Sequence, residues 1–277
     1  MTVADCLRQS GLIRLEAQML LAHVLGQSRV WLIAHDTDSV DAAQAAEFNK
    51  LCMARTEGQP MAYLIGRREF MDLDLEVNPS VLIPRPETEL LVQLVVDQLQ
   101  GLGRPTSMLD LGTGSGAIAL AVAKACPNTR VFATDISGAA LAVAHRNAQR
   151  LELDVDFFQG SWFEPFEFMP ERPEFDVIAS NPPYIRAGDH HLTKGDLRFE
   201  PVSALTDGSD GLSAYRIISA QAKVFLKPGG CLWFEHGFDQ SQAVQSILLE
   251  QGFDSPKTLQ DLAGLPRVTG AFYNAHK

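Results

Sequence analysis

Ser107-Met108-Leu109-Asp110-Leu111-Gly112-Thr113-Gly114-Ser115-Gly116-Ala117-Ile118-Ala119-Leu120-Ala121-Val122-Ala123-Lys124 reads as a short apolar strand, a glycine-rich turn and a helix. Such a turn lets the backbone approach a ligand closely and sets that ligand at the positive end of the helix. A second strand, Arg130-Val131-Phe132-Ala133-Thr134, ends at Asp135. That is roughly 20 residues beyond the turn, where a carboxylate accepts hydrogen bonds from both hydroxyls of a ribose. These features predict a nucleoside-containing cofactor without saying which. Gly112, Gly114 and Ala117 also satisfy the looser dinucleotide fingerprint, so a nicotinamide or flavin enzyme competes here with S-adenosylmethionine.

Asn181-Pro182-Pro183-Tyr184 separates the two. The tetrapeptide follows the apolar run Phe175-Asp176-Val177-Ile178-Ala179-Ser180, a predicted buried strand. It therefore lies at a strand's carboxyl end, where open α/β sheets place ligands. Two prolines stiffen the turn and remove two backbone donors. The Asn181 side-chain oxygen and the Pro182 carbonyl are predicted to accept the two hydrogens of a planar NH2 group while the Tyr184 ring packs beside it. Hydride transfer has no need of such a clamp. Methyl transfer from a sulfonium to a weakly nucleophilic NH2 nitrogen does. The plainer alternative is a proline-rich turn with a buried tyrosine.

Around these motifs, strands are predicted at 107–111, 130–134, 154–158, 175–180 and 230–235. Helices are predicted near 117–125, 138–150, 211–226 and 239–251, with another from Glu87 to Leu102. Such alternation means a parallel sheet with helices on both faces, and a last strand near 267–274 is expected to pair antiparallel at the sheet end. Residues 1–75 read as a small helical domain. Leu15, Met19 and Ala22 fall at helical spacing before Gly26, and Asp41 caps a helix through Phe48 and Leu51 to Ala54. It carries no nucleophile, metal ligand set or phosphate loop, so substrate recognition is its expected role. Residues 76–86 are read as linker or hairpin, within a stretch from Phe70 to Leu82 where Leu73, Leu75 and Val77 alternate with acidic residues. Residues 87–277 form the expected catalytic domain. The long polar stretch from Ile185 to Asp210 follows the clamp directly, as a substrate cover would.

The 277 residues are 46% hydrophobic and 21% charged, as in a soluble globular chain. Asp5, Arg14 and Glu16 argue against a secretory signal, and no stretch reaches the ~18 apolar residues of a membrane span. Cys6, Cys52, Cys126 and Cys231 form no Cys-x-x-Cys pair, so free thiols in a reducing cytoplasm are expected. No metal site is expected: His190-His191 lacks a third ligand. His236, after a strand, reads as a base or, more simply, as a packing residue. The net charge is −11; the first 75 residues hold 7 basic and 10 acidic side chains, the remainder 16 and 24. Neither part is a cationic nucleic-acid surface.

Several segments together resemble a known family. They are Tyr63-Leu64-Ile65-Gly66-Arg67-Arg68-Glu69-Phe70, Leu82-Ile83-Pro84-Arg85-Pro86-Glu87-Thr88-Glu89, Asp110 to Gly116, Asn181 to Ile185, Asp196-Leu197-Arg198-Phe199-Glu200-Pro201, Glu235-His236-Gly237 and Arg267-Val268-Thr269. Their order and spacing are similar to the HemK-type peptide chain release factor glutamine methyltransferases of bacteria. The resemblance implies an α/β fold, a Rossmann-like class I methyltransferase sheet with a small N-terminal helical domain. It also implies N5-methylation, from S-adenosylmethionine, of the glutamine in the Gly-Gly-Gln tripeptide of class I release factors. On that pattern Gly112, Thr113, Gly114, Ser115 and Gly116 approach the methionine and ribose, Asp135 takes the ribose hydroxyls and Asp110 the methionyl ammonium. Trp162 lies flat beside adenine, Asn181 borders both cofactor and substrate, and Asn181, Pro182, Pro183 and Tyr184 hold the glutamine. One position departs: the family's acidic residue before Trp-Phe is Ser161 here, which offers adenine a hydroxyl without charge assistance. Asn-Pro-Pro-Tyr is shared with enzymes that methylate amino groups of adenine and guanine. A nucleic-acid methyltransferase therefore stays open as the alternative, with a non-enzymatic factor-binding adaptor more distant.

Overall fold

In the computed structural model, residues 1–274 are described, and they begin with a five-helix N-terminal domain. Its helices are α1 (Val3–Gln9), α2 (Arg14–Leu25), α3 (Arg29–Ala34), α4 (Ala42–Thr56) and α5 (Met61–Ile65). Sequence-local chemistry sets their ends. Thr2 and Asp5 form a reciprocal capping box on α1, the Asp41 carboxylate accepts from Gln44 N at 2.8 Å at the start of α4, and Gly26 ends α2 in the left-handed conformation. Leu20, Leu21, Leu32, Phe48 and Cys52 bury against one another as a core separate from that of the following domain.

A hairpin of β1 (Arg67–Phe70) and β2 (Leu73–Glu76) joins the two parts, and residues 77–87 carry turns but neither helix nor strand. Ion pairs from Lys124 and Arg146 and one buried side chain fasten the hairpin to the following domain. Asn147 accepts from Glu76 N at 2.6 Å and donates to the carbonyls of Glu76 and Ser115, each at 3.0 Å.

The second domain runs α6 (Thr88–Gly101), β3 (Thr106–Leu111), α7 (Ala117–Ala125), β4 (Thr129–Asp135), α8 (Gly138–Leu151), β5 (Asp156–Gln159), α9 (Glu164–Glu167) and β6 (Phe175–Ser180). After the 3₁₀ turns His190–Thr193 and Gly195–Phe199 come α10 (Val202–Leu205), α11 (Ser213–Ala222), β7 (Leu226–Glu235), α12 (Ser241–Glu250), β8 (Asp254–Gln260) and β9 (Pro266–Phe272). The seven strands lie in the order β5-β4-β3-β6-β7-β9-β8, parallel from β5 to β7. Alternate residues of the buried strands feed opposite faces. Met108, Val177, Ala179 and Trp233 pack with α6 and α7, while Leu109, Ile178, Leu232 and Phe234 pack with α11 and α12. Strand β9 pairs antiparallel with β7 as expected, but the sheet does not end there. The edge is β8, a strand beyond those the sequence predicts. Its sequence, Asp254-Ser-Pro-Lys-Thr-Leu-Gln, is polar and contains Pro256, composition that only an edge position tolerates.

Strand β3 has β4 on one side and β6 on the other, so successive crossovers diverge from it. The carboxyl ends of β3, β4 and β6 thus frame the crevice where open sheets bind ligands. Among the described residues no helix is long and apolar enough to cross a membrane.

Candidate active site

The two sequence motifs meet at that crevice. Gly112, Gly114 and Gly116 have φ of 74°, 58° and 86°, a region that side chains with a Cβ resist. The N–H groups of Gly112 and Thr113 donate to the Thr134 carbonyl at 2.9 and 3.0 Å, which ties the turn to the end of β4. Asp135 completes the tie: its carboxylate accepts from Gly114 N and Ser137 N, each at 2.9 Å. One side chain therefore shapes the glycine turn and starts α8, with acceptor capacity left on both oxygens. A Cβ on Gly114 would meet no atom within 4 Å, so the loop's outer face is open.

Asp110 is fully buried at the end of β3. Its Oδ2 accepts from Thr113 Oγ1 at 2.6 Å and Ala119 N at 3.3 Å, while Oδ1 has no hydrogen-bond partner. Burial pushes its ionisation up to about 7 against the pull of those two donors, and the charge of Asp135 adds to the rise. An orphaned carboxylate oxygen beneath a glycine loop suits a cationic ligand group. Trp162, left-handed at φ 49°, sets its ring against Gly112, 3.6 Å from where a Cβ would stand.

Ser180 ties the end of β6 to β3 through Oγ to the Leu111 carbonyl at 2.7 Å, which holds the clamp beside the glycine turn. Asn181 follows, half-buried, and its Nδ2 donates to Thr88 Oγ1 at 3.2 Å. Among the described residues no donor reaches Asn181 Oδ1 or the Pro182 carbonyl, the two acceptors expected of this turn. Pro182 is buried and Pro183 half-buried. Tyr184 sits half-buried with its hydroxyl ionisation raised by burial, and its carbonyl is held by Gln240 Nε2 at 2.9 Å. Gly211 passes so close to that carbonyl that a Cβ there would overlap it.

The stretch after Tyr184 packs back against neighbouring elements. Ile185 N donates to the Leu205 carbonyl at 2.9 Å, and both carboxylate oxygens of buried Glu200 accept from Arg85 Nη2, at 2.6 and 2.7 Å. Arg198 donates to the Glu57 carbonyl and Asp196 lies 3.9 Å from Arg55, so this stretch touches the helical domain.

Comparison with known proteins decides between methyltransferases of this geometry. Residues 2–66 match the family described as PrmC N-terminal domain, and residues 86–197 match the methyltransferase small domain. The release factor glutamine methyltransferase of Bordetella pertussis is 52% identical over 97% of this chain and 98% of its own length. That of Neisseria gonorrhoeae is 47% identical over 100% and 99%. The chain belongs to the release factor glutamine methyltransferase family. In fold alone it is similar to the Thermus thermophilus 16S rRNA N2 G1207 methyltransferase in complex with AdoMet and guanosine. That structure has a TM-score of 0.54 at 20% identity and covers 75% of this chain and 50% of its own.

Other site positions hold what the sequence singled out, and some that it did not. Ser161 stands at the turn after β5, where its N–H donates to Glu164 Oε2 at 3.0 Å. The Glu164 carboxylate thus closes this turn from three residues on. Ile136, directly after Asp135, is 68% exposed at the mouth of the crevice and offers an apolar face there. Neither Glu164 nor Ile136 had a motif to announce it. Thr88 and Glu235 lie within quoted segments, but nothing in the sequence joined them to Asn181. His236 is buried with both ring nitrogens engaged: Nδ1 with the Gly237 carbonyl at 2.8 Å and Nε2 with Thr269 Oγ1 at 2.7 Å. A carbonyl only accepts, so Nδ1 carries the proton and Nε2 takes the Thr269 hydroxyl. Burial holds its ionisation below the usual histidine range, and the residue packs rather than acts as a base. Asp189 supplies the third ligand side chain that His190-His191 lacked in sequence, but both histidines are exposed and the carboxylate already accepts from His191 N and Nδ1. All four cysteines are buried and free.

Proposed function

We propose that Asn181 Oδ1 and the Pro182 carbonyl accept the two N–H groups of a glutamine side-chain amide, so that its nitrogen faces the methyl donor in line. The carrying observation is that these two acceptors, on a turn stiffened by two prolines, lack protein donors beside a glycine loop built for a nucleoside. As a member of its family the chain is an S-adenosylmethionine-dependent enzyme that methylates a release factor glutamine. The cofactor supplies an electrophilic methyl group on a sulfonium. The residues present fit it: the partnerless Asp110 Oδ1 suits its ammonium, Asp135 keeps acceptor capacity for the ribose hydroxyls, and the turn of Gly112, Thr113, Gly114, Ser115 and Gly116 leaves open space at Gly114. Trp162 and Ile136 supply apolar surface for the base.

An amide nitrogen is a weak nucleophile because its lone pair is delocalised into the carbonyl. Holding both N–H groups fixes the nitrogen in attack geometry and favours the rotated amide, and Tyr184 packs on its face. The proton shed after transfer leaves from an N–H already held by an acceptor, so no strong base is needed. The Gly-Gly-Gln tripeptide of class I release factors is the proposed target, in the cytoplasm. The net charge of −11 favours a protein over a nucleic-acid partner. We assign recognition of the factor away from the reacting glutamine to residues 1–75, with 76–86 as linker and 87–277 as the catalytic domain. The test is Asn181→Ala. It should keep cofactor affinity yet raise the barrier by roughly 2.7–4 kcal/mol, the scale for losing one preorganised hydrogen-bonding group. Near-normal methylation by that variant contradicts the clamp.

A further inference from the structure

We infer that Glu235 is a positioning residue for methyl transfer: acting with Thr88, it fixes which end of the Asn181 amide faces the substrate. The inference rests on the reading that Asn181 Oδ1 is a substrate acceptor. Glu235 ends β7, Asn181 follows β6, and the two strands are parallel neighbours paired through Ser180 and Phe234. Thr88, the first residue of α6, meets them at that edge. All three side chains are withdrawn from solvent, with Glu235 and Thr88 fully buried.

Asn181 Nδ2 donates to Thr88 Oγ1 at 3.2 Å, and the Thr88 and Asn181 side chains both favour the ionised form of the adjacent Glu235 carboxyl. Burial raises the ionisation of that carboxyl to about 7, and in its ionised form it only accepts. The Thr88 hydroxyl hydrogen therefore points to Glu235 and leaves an oxygen lone pair for Asn181. The nitrogen end of the Asn181 amide rests on two acceptors, and its oxygen end is left for the incoming amide. Without Glu235 the Thr88 hydroxyl is free to turn and donate to a flipped Asn181. The Asn181 NH2 would then confront the substrate NH2, donor against donor.

The carboxylate is held at a cost that packing alone does not require. Oε2 has no partner, and Arg267, whose charge favours ionisation, gives its guanidinium to Asp261 and the His236 carbonyl.

The experiment measures methylation of full-length release factor at saturating cofactor by wild type, Glu235→Gln, Thr88→Val, Thr88→Ser, Asn181→Ala and the Asn181→Ala/Glu235→Gln double variant. Melting temperature and cofactor affinity are measured alongside. Glu235→Gln and Thr88→Val should each lower kcat on the order of ten- to a hundredfold, the range for losing an orienting outer partner, with KM and cofactor affinity nearly unchanged. Thr88→Ser, which restores the hydroxyl, should recover most of the rate. In the Asn181→Ala background, Glu235→Gln should cost almost nothing more, since the amide it orients is gone. Multiplying losses in the double variant, no recovery in Thr88→Ser, or a rate loss tracking melting temperature each overturns the inference. A slow Asn181→Ala with a normal Glu235→Gln does the same while leaving the clamp intact. A near-normal Asn181→Ala instead removes the clamp itself. Should Glu235→Gln fail to fold, the Thr88 pair decides, because it alters one hydroxyl at nearly constant shape.

Discussion

Cofactor affinity should depend on the ionisation of one buried carboxyl, Asp110. In the free protein its ionisation lies at about 7, raised by burial. A cationic ammonium beside the partnerless Oδ1 binds the ionised form, so binding near neutrality must expel a proton whenever Asp110 is protonated. With a free-state value of about 7, the ionised fraction rises about tenfold between pH 6 and pH 8, and the association constant should rise by the same factor. At pH 7 titration calorimetry in two buffers of different ionisation enthalpy should show release of about half a proton. Asp110→Asn isolates the effect. Thr113 Oγ1 and Ala119 N both donate to Oδ2, so the Asn oxygen takes that place and its NH2 the site of Oδ1. That variant should lose the pH dependence and bind more weakly at pH 8 by about 1.5–3 kcal/mol, the worth of a charged hydrogen bond. The free protein shows the opposite sign. The folded-state value lies above the ordinary 3.8, so the stability Asp110 contributes is present below about pH 4 and lost as pH rises through about 7. Free Asp110→Asn should therefore melt no lower than wild type at pH 8. Weakened binding at pH 6 that persists unchanged in Asp110→Asn would refute the reasoning, since Asp135, the other carboxylate facing the loop, would then be the titrating group.

Asp135→Ala should weaken cofactor binding by about 1.5–3 kcal/mol by calorimetry; unchanged affinity or preferential binding of NAD would overturn the ribose assignment. Arg85→Ala leaves the buried Glu200 carboxylate without its cation and should destabilise the chain by about 3 kcal/mol in denaturant unfolding, a loss that Arg85→Ala/Glu200→Gln should partly restore. A chain starting near Tyr63, checked for folding by circular dichroism, should still bind cofactor. It should lose far more kcat/KM on intact release factor than on a short Gly-Gly-Gln peptide; equal fractional losses would mean that residues 1–75 only stabilise the catalytic domain.

The glycine turn, Asp135 and the strand–helix alternation were readable because each is written in neighbouring residues: positive φ at Gly112, Gly114 and Gly116, a carboxylate closing a strand, apolar runs of strand length. Asn181 to Tyr184 was readable because two prolines leave that turn few conformations. What joins Asn181 to Thr88 and Glu235 was not, because three elements distant in sequence meet only once the sheet is assembled. Strand β8 escaped for another reason. An edge strand has one hydrogen-bonded neighbour and a mostly solvated surface, so Asp254 to Gln260 carries no apolar alternation to read.

The central claim is that this active site methylates the side-chain nitrogen of a release factor glutamine held by Asn181 and Pro182. Purified enzyme with methyl-tritiated S-adenosylmethionine should label intact release factor. It should not label the same factor with the Gly-Gly-Gln glutamine changed to alanine, nor transfer RNA or DNA. Label entering nucleic acid, or entering the alanine variant at the wild-type rate, would contradict it.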